Sequence, residues 1–216
     1  MSFTVLTCPQ RSDAWRAARC GRLTASVAAA AVARGKGATE AVTRRDLRYR
    51  LACERLTGVP EPDDFLGWDM RRGINLEPEA LLAYESATQT RLEKTGFLAH
   101  DTLPIGCSLD GHVGRFEHLV EVKTAKPSIH IRRFHEREAF VAEHRAQICH
   151  ALWVTGAEDV ELVSYSPLLP PALRLLRVLV PRDQAGLDEY VPAAEAFLAD
   201  VERTVEEIEG LAEATA

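Results

Sequence analysis

Apolar positions recur at helical spacing in some stretches of the chain and at strand spacing in others, and the change of period divides the sequence. Trp15 to Arg19 and Ser26 to Arg34 read as short helices, the second capped by Ser26 and closed by Gly35. Thr43 to Leu56 reads as a longer helix ended by Gly58, so the N-terminal third is expected to be helical. Glu79 to Glu85 continues that style, with Pro78 suited to a first helical turn. Beyond it the period shortens. Leu103–Ser108, Leu119–Lys123, Val160–Tyr165 and Leu173–Val180 are short apolar runs bounded by Gly, Pro or Asp, which predicts strands, the first two forming a hairpin. A helix near Glu138–Val154 separates the second strand from the third. In the acidic tail from Asp183 to Leu211, Leu187, Val191, Ala194, Leu198, Val201, Val205 and Ile208 share one helical face, so that helix must pack on something. Helices, hairpin, helix, strands and helix in that order make a mixed α/β fold.

Composition narrows the picture. The 216 residues are 46% hydrophobic and 27% charged, enough to bury a core without disulfides or a structural metal, which excludes small stapled scaffolds. No repeat, low-complexity block or linker marks a boundary, so a single domain is expected over 1–216: a basic helical region at 1–58, a core at 68–180 and an acidic helix at 183–216. The longest apolar run, Val27 to Ala33, is too short to cross a bilayer, and the opening MSFTVLTCPQRSD has no basic-then-apolar signal pattern. A cytoplasmic location without membrane contact is expected. Cys8, Cys20, Cys53, Cys107 and Cys149 form no metal-binding spacing and read as reduced thiols, which also excludes an iron–sulfur centre. The net charge of −6 speaks against nucleic acid as a partner, but it is an average over a gradient. Residues 1–58 hold 11 basic and 4 acidic residues, whereas 183–216 hold 1 and 10. That gradient fits a local anion site beside a carboxylate-rich metal site, and fits equally a chance segregation of surface charge.

The candidate chemistry lies in the hairpin. Asp110 stands in GCSLDG, and Glu121-Val122-Lys123 follows after ten intervening residues in the next strand. Alternation sends Glu121 and Lys123 to one face, toward a carboxylate delivered by the neighbouring strand of the hairpin, and Val122 to the other. Two carboxylates and an amine so placed are what a metal-dependent phosphodiesterase needs: oxygen ligands for divalent cations, and a cation to orient water or offset charge on the phosphate. The same residues also fit an exposed Glu–Lys pair beside a tight Asp-Gly turn. Val120 and Val122 alternate correctly with the charged pair, and Gly106, Ser108 and Gly111 are expected to leave room for a phosphate backbone near Asp110.

Beyond that core the sequence resembles the lambda exonuclease-like phage recombination nucleases of the PD-(D/E)XK superfamily. DAWRAARCGRLTAS (Asp13 to Ser26) resembles the family's N-terminal element, and LACERLTGV (Leu51 to Val59) its next helix. WDMRRGINLEPEALLAYE (Trp68 to Glu85) is similar to its glutamate-bearing helix. GCSLDG with LVEVK matches the core, and HRAQICHALWVTG with VSYSP the helix and strand after it, all in the family's order over about residues 10–170. The resemblance implies a restriction-endonuclease-like core, a central mixed sheet flanked by helices. It makes Asp110, Glu121, the carbonyl of Val122 and Glu77 the metal ligands, and Lys123 the water-positioning lysine. Gln147 would be a further active-site residue, and Arg19, Ser26 and Ser108 would bind the 5′-phosphate of a DNA end. On the residues alone, Glu77 also reads as flanking a helix start, Ser26 as an ordinary cap and Gln147 as a solvated side chain. Three departures stand out. Leu109 replaces a proline before the aspartate, Thr124-Ala125-Lys126-Pro127 replaces the usual strand exit, and His144 stands where a tyrosine is common, as a phosphate contact or a pocket wall. The other six histidines read as surface or satisfied core residues.

The expectation is therefore a Mg²⁺-dependent 5′→3′ exonuclease on double-stranded DNA, with two metal ions per site and Mn²⁺ as a substitute. It would release 5′-mononucleotides and leave 3′ single strands for recombination. The resemblance further implies a ring-shaped homotrimer and a single-strand annealing partner; a ring would let the basic N-terminal third line a channel while the acidic tails face outward. The alternatives are a structure- or sequence-specific endonuclease on the same core, for which Arg19 and Ser26 would be dispensable, and a catalytically silent DNA-end-binding protein.

Overall fold

The computed structural model describes residues 3–37, 39–62 and 67–214, without the side chains of 68–70. Within them lie eight strands and seven α-helices, the mixed α/β arrangement expected, with the strands divided between two four-stranded sheets. In the first, β1 (Phe3–Leu6) and β4 (Ile105–Cys107) flank β3 (Phe97–His100) antiparallel, and β2 (Leu23–Thr24) joins β4 in parallel. In the second, β5 (Gly111–Val113), β6 (His118–Thr124), β7 (Asp159–Tyr165) and β8 (Leu175–Pro181) lie in sequence order, with the central β6–β7 pair parallel and the outer pairs antiparallel.

The helices follow their apolar faces and stop signals. α1 (Asp13–Arg19) is capped by Ser12, whose hydroxyl accepts from the Trp15 N–H. α3 (Val42–Thr57) ends at Gly58 in the left-handed region at φ 68°, and α6 (Arg137–Thr155) at Gly156 at φ 71°. α6 is the central helix: Phe140, Ile148 and Leu152 bury against Leu23, Ile105, Leu119 and Leu162, so one core spans both sheets. α7 (Leu187–Ala214) closes that core with Tyr190, Phe197 and Val201. A second, smaller cluster lies under α4 (Trp68–Thr88), where Ala80, Leu81 and Tyr84 cover Val120, Val122, Val163 and Tyr165.

Several expectations are corrected. The hairpin of Leu103–Ser108 with Leu119–Lys123 does not form: β4 belongs to the first sheet, and β6 takes β5 as its antiparallel partner, Gly111 opposite Val120. Ser26 caps nothing; it lies inside a 3-10 turn, Ala25–Val27, that leads into the four-residue helix α2 (Ala28–Ala31), so the helix foreseen to Arg34 is only a short turn of alanines. Pro78 sits inside α4, which begins ten residues earlier, rather than in its first turn. β1, β2, β3 and β5, and the helix α5 (Pro127–His135), were not foreseen. The space expected at Gly106 and Gly111 is filled, since a Cβ on Gly106 would strike the Phe97 ring and one on Gly111 would lie 3.0 Å from Leu92 Cδ1.

The acidic tail packs on the basic helix. Arg44 bonds Asp200 at 2.6 Å, Arg48 donates to Thr204 at 2.8 Å and Arg55 reaches Glu202 at 2.8 Å, while Glu40 holds both Arg44 and Arg48. Two ion pairs, Arg44–Asp200 and Arg55–Glu202, thus join the basic helix to the acidic tail. Among the described residues no helix is long and apolar enough to cross a membrane.

Two outcomes test this packing. Phe197→Ala is expected to lower stability by about 3–5 kcal/mol in urea denaturation, because a fully buried ring joins α7 to the core. His150, fully buried, donates from Nε2 to the Gly106 carbonyl and accepts from the Tyr190 hydroxyl at Nδ1. Burial pushes its pKa from 6.5 down to about 4. The unfolded chain therefore binds an extra proton between those values, so stability is complete above pH 6.5 and falls by about 1.4 kcal/mol per pH unit toward pH 4 for this group. His150→Gln is expected to flatten that slope when denaturation is repeated across pH.

Candidate active site

β6 sorts its side chains as alternation requires. Val120 and Val122 face α4, whereas Glu121 and Lys123 face α6. There Gln147 closes a triangle: its Nε2 donates to Glu121 Oε1 at 2.6 Å, its Oε1 accepts from Lys123 Nζ at 2.8 Å, and Lys123 Nζ donates to Glu121 Oε1 at 2.7 Å. Gln147 is no solvated side chain. Burial alone would lower the Lys123 pKa, but the carboxylates of Glu121 and Asp110 outweigh it and carry it upward, so the amine is an ammonium.

Asp110 reaches the same strand from the segment between β4 and β5. β5 begins only at Gly111, so the N–H of Val122 has no ladder partner on that side, and Asp110 Oδ2 accepts it at 2.8 Å. A strand residue's N–H and C=O point the same way, which directs the Val122 carbonyl toward Asp110 as well. Burial, then the charges of Glu121 and Glu77, raise the Asp110 pKa well above the usual carboxylate range; Lys123 and the Val122 N–H act against this. Asp110, Glu121, Lys123 and Gln147 are thus together. Glu77, mid-helix in α4, is near enough for its charge to act on Asp110, yet it is held by Lys94 Nζ at 3.2 Å and Arg11 at 3.8 Å. Among the described residues no three or more His, Cys, Asp or Glu side chains converge closely enough to hold an ion. The donors nevertheless suit one: three carboxylates and a backbone carbonyl are hard oxygen ligands, and a divalent cation would offset the charge that Glu121 and Glu77 press on the buried Asp110.

A second cluster adjoins the first. Arg19 donates to Thr24 Oγ1 at 3.2 Å and Ser26 Oγ at 3.1 Å, and its guanidinium lies over the Trp15 ring at 4.0 Å. Trp15 Nε1 in turn donates to Ser108 Oγ at 2.8 Å, two residues before Asp110. Arg19, Ser26 and Ser108 therefore do meet, through Thr24 and Trp15, to which sequence reasoning gave no role. Leu109 is buried in the main core, and its carbonyl accepts from Gln10. His144 stands one turn before Gln147, edge-on to Phe140, and its Nε2 is buried without a hydrogen bond. Burial and the nearby Lys123 and Arg133 charges lower its pKa to about 3, so the ring is neutral. Arg133 was also missed, because α5 was not read as a helix; it donates to the Lys123 carbonyl and to Ser164 Oγ, both at 3.1 Å.

This core, two carboxylates and a lysine on a mixed sheet with a helical glutamine above them, is that of a PD-(D/E)XK-type nuclease. The chain belongs to the YqaJ-like viral recombinase family, whose domain matches residues 14–158. It is similar to the alkaline exonuclease LHK-Exo from Laribacter hongkongensis, at 30% identity and a TM-score of 0.81, over 95% of this chain and 100% of that one. The structure of LHK-Exo with dAMP is similar at a TM-score of 0.79, also at 30% identity and the same coverage. A phage-related exonuclease from Haemophilus somnus 129PT shares the fold at 12% identity and a TM-score of 0.68, over 88% of this chain and 95% of that one. No curated protein matches the chain significantly. Family and fold make the protein a deoxyribonuclease of phage-type recombination.

Asp110→Asn is expected to raise the melting temperature in EDTA at pH 8, since the amide still accepts from Val122 but carries no charge against Glu121 and Glu77. The gain should shrink as pH falls and the native carboxyl takes up its proton, a trend that calorimetry at several pH values would show.

Proposed function

We propose that the protein is a Mg²⁺-dependent exonuclease that removes 5′-mononucleotides from double-stranded DNA ends, 5′→3′, leaving 3′ single strands for recombination. The observation that carries this reading is the link between the two clusters: the Trp15–Ser108 hydrogen bond ties the Arg19–Ser26 anion cradle to the segment that delivers Asp110. A strand end held by its terminal phosphate at Arg19, Ser26 and Ser108 would present its first phosphodiester to Asp110, Glu121 and Lys123. LHK-Exo bound to dAMP, a mononucleotide, is consistent with that product.

Asp110, Glu121, Glu77 and the Val122 carbonyl would hold two Mg²⁺ ions, with Mn²⁺ as a substitute. Bound there, the metal would supply Lewis-acid charge neutralisation at the scissile phosphate and make water a better nucleophile. The chain's own residues do the rest. Lys123 Nζ, kept cationic, orients the attacking water and offsets charge developing on phosphate oxygen; Gln147 fixes that ammonium against Glu121. The 216 residues act as one domain, in the cytoplasm, as a ring-shaped homotrimer that hands its exposed strand to a single-strand annealing protein.

A linear duplex labelled at one end, with 5′-phosphate or 5′-hydroxyl termini, tests the reading in Mg²⁺ and in EDTA. Mononucleotide release that needs Mg²⁺, favours 5′-phosphate ends and spares a closed circle is the expected result. Cutting of the circle would establish an endonuclease, and end binding without cleavage a silent binding protein. Lys123→Ala is expected to lower the rate by at least about 10²–10³ while DNA binding persists. Arg19→Ala should erase the 5′-phosphate preference, a loss of roughly 1.5–3 kcal/mol, more than it slows 5′-hydroxyl ends.

A further inference from the structure

Glu77 reaches the site on a helix that the main core does not hold. α4 rests on its own small cluster, where Ala80, Leu81 and Tyr84 cover the face of β6 and β7 opposite α6. Its backbone is weakest beside Glu77, because Pro78 has no N–H and leaves the carbonyl of Ile74 without its helical donor. At that point a side chain supplies the missing constraint. Tyr165, the last residue of β7, donates its phenol to Glu79 Oε1 at 2.7 Å, two residues along the helix from Glu77. Farther along, Tyr84 donates to Glu161 Oε2 at 2.6 Å, and Arg177 forks onto that same carboxylate at 2.8 and 3.2 Å.

A helix can slide on an apolar patch at little cost, but it cannot slide past a directed hydrogen bond. A shift of one residue moves α4 by about 1.5 Å and turns it through about 100°, which would carry the Glu77 carboxylate away from Asp110 and Glu121. Tyr165 bonds the helix within one turn of Glu77, and it stands on the strand paired with β6, Val163 opposite Val122 and Tyr165 opposite Thr124. The frame that carries Glu121 and Lys123 is thereby the frame that registers Glu77.

We infer that Tyr165, through its hydrogen bond to Glu79, is a positioning residue that sets where α4 docks and so how tightly the site binds divalent cations. The inference rests on the metal-dependent reading of the site and adds residues on two elements outside the ligand set. It predicts that loss of the phenol weakens metal binding while the rate at saturating metal and the affinity for DNA ends persist.

The test titrates the DNA-free protein with Mn²⁺, counting free ion by electron paramagnetic resonance, and measures the Mg²⁺ dependence of duplex digestion. Amide hydrogen exchange over residues 68–88 reads the docking of α4. Tyr165→Phe and Glu79→Ala are each expected to weaken Mn²⁺ binding about 10-fold, with a matching rise in half-saturating Mg²⁺ and faster exchange in α4. Glu79→Gln keeps a carbonyl for the phenol and should restore parental affinity. Tyr190→Phe, which removes a buried phenol bonded to His150, is the control: it should lower the melting temperature and leave Mn²⁺ binding unmoved. Unchanged Mn²⁺ affinity in Tyr165→Phe, or an equal loss in Tyr190→Phe, overturns the inference. A parent protein that binds no Mn²⁺ overturns the metal reading, and the inference with it.

Discussion

Two negative charges forced onto one strand edge organise this molecule. Asp110 is drawn to β6 by an N–H that the ladder leaves unpaired, and Glu121 already occupies the neighbouring position. Nothing in an apolar core gains from that proximity, and the surroundings act to contain it. Lys123 and Gln147 clamp Glu121 from the α6 side, and Arg11 and Lys94 hold Glu77 at a remove. The cost is local, and the large core spanning both sheets carries it: a domain stable by several kcal/mol can tolerate one strained carboxylate pair.

The pairing of α3 with α7 has a comparable logic. A basic segment and an acidic one, far apart in sequence, meet across a helix–helix contact joined by two ion pairs. The arginines engaged there serve packing. Arg19 is not engaged there; two hydroxyls and a tryptophan face hold it, and Trp15 links it to Ser108, two residues before Asp110. A chain of negative overall charge can therefore carry a local cationic cluster, because the sign that matters is set within a few ångströms of the contact.

The sequence made legible those parts whose physics is local. The Leu119–Thr124 alternation showed which side chains share a face, and glycine ends marked α3 and α6. The amphipathic period of the tail required a packing partner, and α7 has one. What escaped depends on tertiary context. Phe97 to Ala99 are buried on both faces and so show no alternation. Which strand pairs with β6 is decided by where the chain leaves β4, and neither strand's composition records it. Pro78 signals a helix start by its own chemistry, and only the packing of Ala80, Leu81 and Tyr84 makes it internal. For the site, Asp110, Glu121 and Lys123 stand out by spacing, whereas the contacts of Trp15, Thr24 and Tyr165 cross between distant elements and leave no periodic trace.

Ser108 and Asp110 are separated by one residue, Leu109, whose side chain is anchored in the core. Two residues of chain span at most about 7 Å, and this stretch is pinned at one end by Trp15 and at the other by Val122. On the proposed reading, the distance from the gripped end of a strand to the bond that is cut is written in covalent geometry. The backbone itself then acts as a ruler, and the length of its stride is altered only by adding or removing a residue.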